Sequence, residues 1–173
     1  MKKAIIFDMG GVLVDLDVEA AKQAFKDSLN YTEIDNIIDA CHQKGIYGDL
    51  EEGTLSAEDF RRTVLEESLP DSDPLLVDKA MWHILSGISP YKAELLCRLA
   101  EHYDLYLLSN NNPICMPRSR RLFEEAAAPL DKVFKKCFLS YEMKALKPSE
   151  EFYWSVVSQI GLPAEQMVFI DDS

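Results

Sequence analysis

The chain has 173 residues, 47% of them hydrophobic and 28% charged, enough for one core of ordinary size with a small satellite and too short for two full domains. Eighteen Lys and Arg stand against 30 Asp and Glu, a formal charge of −12, and a field of that sign repels polyanions, so nucleic acid and anionic membranes are poor partners. Seven glycines and eight prolines show no period, and no stretch approaches the roughly 20 apolar residues of a membrane span.

Met1-Lys2-Lys3 has the charge of a signal n-region, but the apolar run behind it stops at Asp8, short of the roughly 7–15 residues an h-region needs. Residues 3–8, Lys-Ala-Ile-Ile-Phe-Asp, read instead as a strand buried on both faces of a parallel sheet. Gly10 and Gly11 follow, then the apolar trio Val12-Leu13-Val14. From Asp17 to about residue 88 the pattern is helical. Asp17 can cap a helix over 18–29, whose Val18, Ala21, Phe25 and Leu29 lie near one face. Segment 32–43 repeats the pattern with Ile34, Ile37, Ile38 and Cys41. A loop rich in Gly and acid is expected over 45–53. Ser56 is placed to N-cap the next helix, with Asp59 as a shortened capping-box partner. A fourth helix is expected over 74–86, opened by Pro74 and ended near Gly87.

Beyond Pro90 the pattern alternates: helix 91–103, strand 104–109, helix 117–126, strand 136–139, helix 149–160, strand 167–170. Alternation of this kind implies a parallel sheet with helices on both faces. The expected architecture is therefore an α/β, Rossmann-like core built from 1–16 and 89–173, with 17–88 inserted as a helical cap. Cys41, Cys97, Cys115 and Cys137 lie far apart with no CxxC spacing, so reduced thiols in a cytoplasmic protein are expected.

Open α/β sheets bind ligands at the carboxyl ends of their strands. Three expected strands end in Asp8, Ser109-Asn110 and Asp171-Asp172, and Lys147-Pro148 precedes the helix at 149–160. In this order, Phe7-Asp8-Met9-Gly10-Gly11-Val12-Leu13-Val14-Asp15, Leu107-Leu108-Ser109-Asn110, Lys147-Pro148 with Tyr153, and Phe169-Ile170-Asp171-Asp172 resemble the four motifs of the haloacid dehalogenase superfamily. The insertion after the first motif is similar to the family's type-1 cap, and Glu52-Gly53-Thr54-Leu55-Ser56 followed by Phe60 looks like its cap stretch. The resemblance covers essentially the whole chain.

It implies a Mg²⁺-dependent phosphatase acting on a small phosphorylated metabolite, with a sugar phosphate first in line, through an aspartyl-phosphate. Asp8 would be the nucleophile. Asp8, Gly10 through its carbonyl, and Asp172 would hold the metal, with Asp171 a ligand or a neighbour of one. Ser109 would hydrogen-bond a phosphoryl oxygen together with backbone N–H groups around Asn110. Lys147 would neutralise charge on Asp8 and the phosphoryl group, and Gly11 would let the backbone approach closely. Chemistry agrees: a carboxylate attacking a phosphate dianion meets repulsion that a hard cation removes, and a covalent intermediate splits one hard step into two.

The chain departs from the family in two places. Most of its phosphatases carry a second Asp two residues after the nucleophile as general acid/base, and here that residue is Gly10. The segment is similar to the branch resembling bacterial α-D-glucose-1-phosphate phosphatase, which also has Gly there. Asp15 or Asp17 could bring a proton from the cap hinge, or could serve as a turn residue and a helix cap. Without the usual acid, an anomeric 1-phosphate is expected to react more readily than a 6-phosphate. The family also continues past the fourth motif with a further strand and helix, whereas the sequence stops at Ser173; a chain shortened at its C-terminus, with 167–170 at a sheet edge, is the expectation.

A 2-haloacid dehalogenase, in which Asp8 would attack carbon without a metal, is an alternative that Asp171-Asp172 argues against. A mutase relies on the acid that Gly10 replaces. A non-catalytic or regulatory relative is the alternative from another class, supported by Gly10 and the abrupt end. A receiver domain carries its acidic pair first and no cap, so the motif order excludes it. His42, His83 and His102 share no metal spacing, Trp82 and Trp154 are expected in the core, and Arg118, Arg120 and Arg121 read as a solvated helix face. Tyr47, in the expected cap loop, is the residue to watch for substrate choice.

Overall fold

In the computed structural model, which describes residues 3–38 and 45–172, the first apolar run forms β1 (Ala4–Phe7) and the chain turns through the two glycines into the short β2 (Asp15–Leu16). Helix α1 (Val18–Leu29) starts where Asp17 caps it, the carboxylate accepting from the Ala20 N–H at 2.9 Å, and it ends on Asn30 in the left-handed region at φ 54°. Among the described residues of the expected 32–43 helix, 34–37 form α2 (Ile34–Ile37) and Ile38 is extended; residues 39–43, with Cys41 and His42, lie outside the described residues. Residues 45–53 are not a loop. Gly45–Glu52 form α3, with Tyr47, Leu50 and Glu51 buried. Glycine weakens a helix by about 1 kcal/mol relative to Ala, but the buried face of α3 overrides that preference.

Helix α4 (Ala57–Glu66) begins at Ser56, whose Oγ accepts from the Asp59 N–H at 3.0 Å and donates to the Asp59 carboxylate at 2.7 Å. Asp59 is too short to reach back to the capping backbone as Glu would. Helix α5 (Pro74–Trp82) stops four residues before the expected end at 86. The chain instead extends as β3 (Leu85–Gly87), antiparallel to β2, and the Asp17 N–H donates to the Ile84 carbonyl at 2.9 Å. Entry to and exit from the helical insertion thus run side by side as a two-stranded ribbon.

The remainder alternates: α6 (Pro90–Ala100), β4 (Asp104–Ser109), α7 (Met116–Glu125), α8 (Leu130–Val133), β5 (Lys136–Leu139), α9 (Ser140–Met143), α10 (Glu150–Ile160) and β6 (Met167–Ile170). The sheet order is β5-β4-β1-β6 with every pairing parallel. Side chains alternate across each strand, so Phe7, Leu105, Leu107 and Leu139 pack with Leu96, Leu122 and Phe123 on one face, while Ala4, Ile6, Leu108 and Phe138 meet Phe152 and Val156 of α10 on the other. Helices on both faces of a parallel sheet make the core α/β and Rossmann-like. Trp154, expected inside, is 64% exposed because α10 turns Phe152 and Val156, rather than Trp154, to the sheet.

The helices α1–α5 have an apolar cluster of their own, including Phe25, Leu29, Leu50, Phe60 and Val77, which also takes in Ile114 and Cys115 from the loop after β4. Phe25 is fully buried there. Phe25→Ala is expected to destabilise the protein by about 3–5 kcal/mol, read as a lower urea midpoint.

Candidate active site

Because β1 lies between β4 and β6, the ends of three strands meet at one point, and each carries a polar residue of the sequence motifs. Asp8 follows β1 directly, its N–H donating to the Ile170 carbonyl at 2.9 Å and its Oδ1 accepting from the Met9 N–H at 2.7 Å. Asp8, Asp171 and Asp172 present carboxylate oxygens all within 4.8 Å of one another. Lys147 bridges two of them, its Nζ 2.9 Å from Asp8 Oδ1 and 2.6 Å from Asp171 Oδ2. Burial pushes the Asp8 carboxyl above its ordinary range, the Lys147 ammonium and the Met9 N–H pull it back, and Asp171 adds to the rise.

Ser109, the last residue of β4, is buried. The Asn110 side chain holds the segment that carries Lys147. Its Oδ1 accepts from the Lys147 N–H at 2.8 Å and its Nδ2 donates to the Lys147 carbonyl at 3.2 Å, so the amide fixes the loop that carries the lysine. Gly11 has φ +72°, and a Cβ there would stand 1.9 Å from Asp172 Oδ2. The close approach made possible by the missing side chain is therefore to Asp172 itself. Three oxygens of hard carboxylate type, clustered and partly desolvated, fit a divalent cation such as Mg²⁺.

Several partners of the site carry no motif in the sequence. Asn111 and Asn112 are buried behind Asn110, the Asn111 N–H donating to Ser140 Oγ at 3.0 Å and Asn112 Oδ1 accepting from the Ile114 and Cys115 N–H groups. Ser140 Oγ also reaches the Glu51 carbonyl at 2.6 Å, tying the end of α3 to the core. The run Asn110-Asn111-Asn112 after a strand was the one visible hint of this network. Tyr47 does not line a loop open to substrate. It is buried, and its hydroxyl is a hydrogen-bond partner of the Glu51 carboxylate and of Asn112. Burial holds the Tyr47 phenol well above its ordinary range. Neither hinge acid is idle: Asp15 pairs with Lys92 at 2.7 Å, and Asp17 caps α1. Arg118 pairs with Glu125 at 3.1 Å, and His83 and His102 are exposed.

The family model of haloacid dehalogenase-like hydrolases matches residues 2–173. The chain belongs to this family. Among haloacid dehalogenase-like hydrolases it is 32% identical, over 99% of its own length and 84% of the relative's, to a D-ribitol-5-phosphate phosphatase of Bacteroides thetaiotaomicron. It also matches the crystal structure of a family enzyme from the same organism, solved as a mutant with magnesium and inorganic phosphate, with TM-score 0.94, 32% identity, and coverage of 100% of this chain and 86% of that one. The L-2-haloacid dehalogenase of Xanthobacter autotrophicus shares the fold at TM-score 0.61 and 21% identity, covering 98% of this chain and 69% of its own.

Proposed function

We propose that this hydrolase is a Mg²⁺-dependent phosphatase that releases inorganic phosphate from a small phosphorylated sugar or sugar alcohol through an aspartyl-phosphate. The observation that carries the reading is the cluster of Asp8, Asp171 and Asp172 with Lys147 seated between two of them. A haloalkanoate site has no use for three clustered carboxylates, whereas a phosphoryl site needs them to hold a cation. Support also comes from the 32% identical relative, which is a sugar-alcohol phosphatase, and from the magnesium and phosphate held by the similar crystal structure.

In this reading Asp8, Asp172 and the Gly10 carbonyl hold Mg²⁺, with Asp171 beside them. Held there, the cation would offset the negative charge of the nucleophile and the phosphoryl group. Asp8 attacks phosphorus, and water later releases the phosphate and restores the carboxylate. Lys147 stabilises the charge on the phosphoryl oxygens, held in place by the Asn110 amide. Ser109 Oγ and the N–H groups after it take the remaining phosphoryl oxygens. Gly11 leaves the space that the Asp172 carboxylate occupies. Residues 17–88 act as the cap that closes over the substrate.

Ribitol 5-phosphate is a primary phosphate ester, so primary esters of polyols and sugars rank ahead of the anomeric phosphates that Gly10 alone suggested. Cys97, Cys115 and Cys137 are free thiols, and no described helix is long and apolar enough to cross a membrane; a cytoplasmic place in carbohydrate metabolism suits both. The test is phosphate release with Mg²⁺ from a panel holding D-ribitol 5-phosphate, hexose 6-phosphates, hexose 1-phosphates and p-nitrophenyl phosphate. Turnover of at least one primary sugar or polyol phosphate is expected. Release from none of the panel would overturn the reading.

A further inference from the structure

A primary alkoxide is a poor leaving group unless it is protonated as it departs, and general acid catalysis supplies about 10²–10⁴-fold in such steps. The position two residues after Asp8 holds no acid, and a Cβ at Gly10 would stand 3.0 Å from Leu16 Cδ1, so that space is already partly filled. Asp15 is engaged by Lys92 and Asp17 by the start of α1.

Among the described residues, one other acid is buried besides Asp8: Glu51, at the end of α3, 4% exposed. Its Oε2 is buried without a hydrogen-bond partner, an unfavourable arrangement that a ligand group or water would relieve. A chain of contacts places it beside the site: Ser140 Oγ, which meets the Glu51 carbonyl, also meets the Asn111 carbonyl at 3.1 Å, and Asn111 Nδ2 reaches the sulfur of Met9, the residue after Asp8, at 3.4 Å. Three contacts fix this end of α3 on the core beside the site. Ser140 Oγ donates to the Glu51 carbonyl at 2.6 Å, Lys144 Nζ donates to the Gly53 carbonyl, and Gly53 at φ +74° lies so close that a Cβ would stand 2.3 Å from the Tyr141 carbonyl.

We infer that Glu51 is the general acid/base of this enzyme, a cap residue doing the work that the second Asp of the family's first motif does elsewhere. The inference rests on the phosphatase reading above. In the first step an Asp8 oxygen bonds to phosphorus, the ester P–O bond breaks, and the departing alkoxide takes the proton of the Glu51 carboxyl. In the second, water bonds to phosphorus as the Asp8–phosphorus bond breaks, and the Glu51 carboxylate takes the water's proton. Alcohol and inorganic phosphate leave, and both carboxyls return to their starting states.

Glu51 suits both halves of the cycle. Burial pushes its carboxyl up to about 8, the Tyr47 hydroxyl bond lowers it, Asp8 raises it and Lys147 lowers it. Those groups, with Cys115, whose thiol burial pushes to about 12, are the titratable partners of the Tyr47–Glu51 pair. The acid is thus protonated near neutral pH, when it must donate, and once ionised it is a far stronger base than an exposed glutamate.

The experiment compares parent, Glu51→Gln and Glu51→Asp on the best primary alkyl phosphate of the panel and on p-nitrophenyl phosphate, whose leaving group needs little protonation. Glu51→Gln is expected to lower kcat/KM on the alkyl ester by about 10²–10⁴-fold, at least tenfold more than on the aryl ester, and Glu51→Asp to recover part of the loss. In the parent, alkyl-ester turnover should fall as pH rises through about 8, and this limb should vanish in Glu51→Gln. If Glu51→Gln does not fold, the parent's pH limb, present on the alkyl and weak on the aryl ester, carries the test. Equal losses on both esters in a folded variant, or no alkyl-specific limb in an active parent, would overturn the proposal alone. A parent inert on both esters would overturn the phosphatase reading and this proposal with it.

Discussion

Asp8→Asn is expected to leave a folded protein that turns over no phosphate ester, with kcat lower by roughly 10⁴–10⁶-fold, the scale of losing a covalent nucleophile. The amide has the shape of the carboxylate but no anionic oxygen to bond to phosphorus. The fold should tolerate the change well. Lys147 keeps Asp171 at 2.6 Å when its contact to Asp8 is weakened, and a cluster of three like charges within 4.8 Å loses one of them. The thermal midpoint is therefore expected to stay or to rise, because burial already works against the charge on Asp8. A circular dichroism melt beside a phosphate-release assay separates the two effects. Activity within tenfold of the parent would remove Asp8 from the chemistry.

Chelation should have an effect nearly as large. Lys147 is shared between Asp8 and Asp171, so one ammonium faces three carboxylates, and a phosphate dianion would add to the imbalance. Without a cation the substrate is repelled from its own nucleophile. Activity is expected to vanish in excess EDTA and return with Mg²⁺. The thermal midpoint should rise with added Mg²⁺, since a ligand that binds only the folded state stabilises it. Asp172→Ala should raise the Mg²⁺ concentration for half-activity by roughly 10–100-fold, the range seen even when a group that merely orients a metal ligand is lost. Full turnover in excess chelator would favour metal-free chemistry.

The strands and their terminal polar residues were legible because the code for them is local. A short apolar run buried on both faces, as at Ala4–Phe7 or Asp104–Ser109, announces a parallel strand, and a carboxylate or serine at its end stands out. The caps at Asp17 and Ser56 were legible for the same reason. What was lost depended on distant contacts. Helix α3 looked like a loop because Gly45 and Gly48 have low helix propensity, while the packing that stabilises it involves Tyr47, Leu50 and Glu51 against other parts of the chain. The strands β2 and β3 are too short to show a period. The grip of Asn110 on Lys147 spans 37 residues, and nothing beside either residue in the sequence reports it. The acidic stretch around Glu51 carries no local sign of its burial, which arises only when α3 meets the core through Ser140.

In the proposed reaction the phosphoryl group passes through Asp8. Acid quenching during turnover of p-nitrophenyl phosphate with Mg²⁺, followed by peptide mass spectrometry, tests it directly. One added phosphoryl group is expected on the peptide that contains Asp8 in the parent and none in Asp8→Asn. Rapid turnover by the parent with that peptide unmodified at every quench time, under conditions that preserve acyl phosphates, would contradict it.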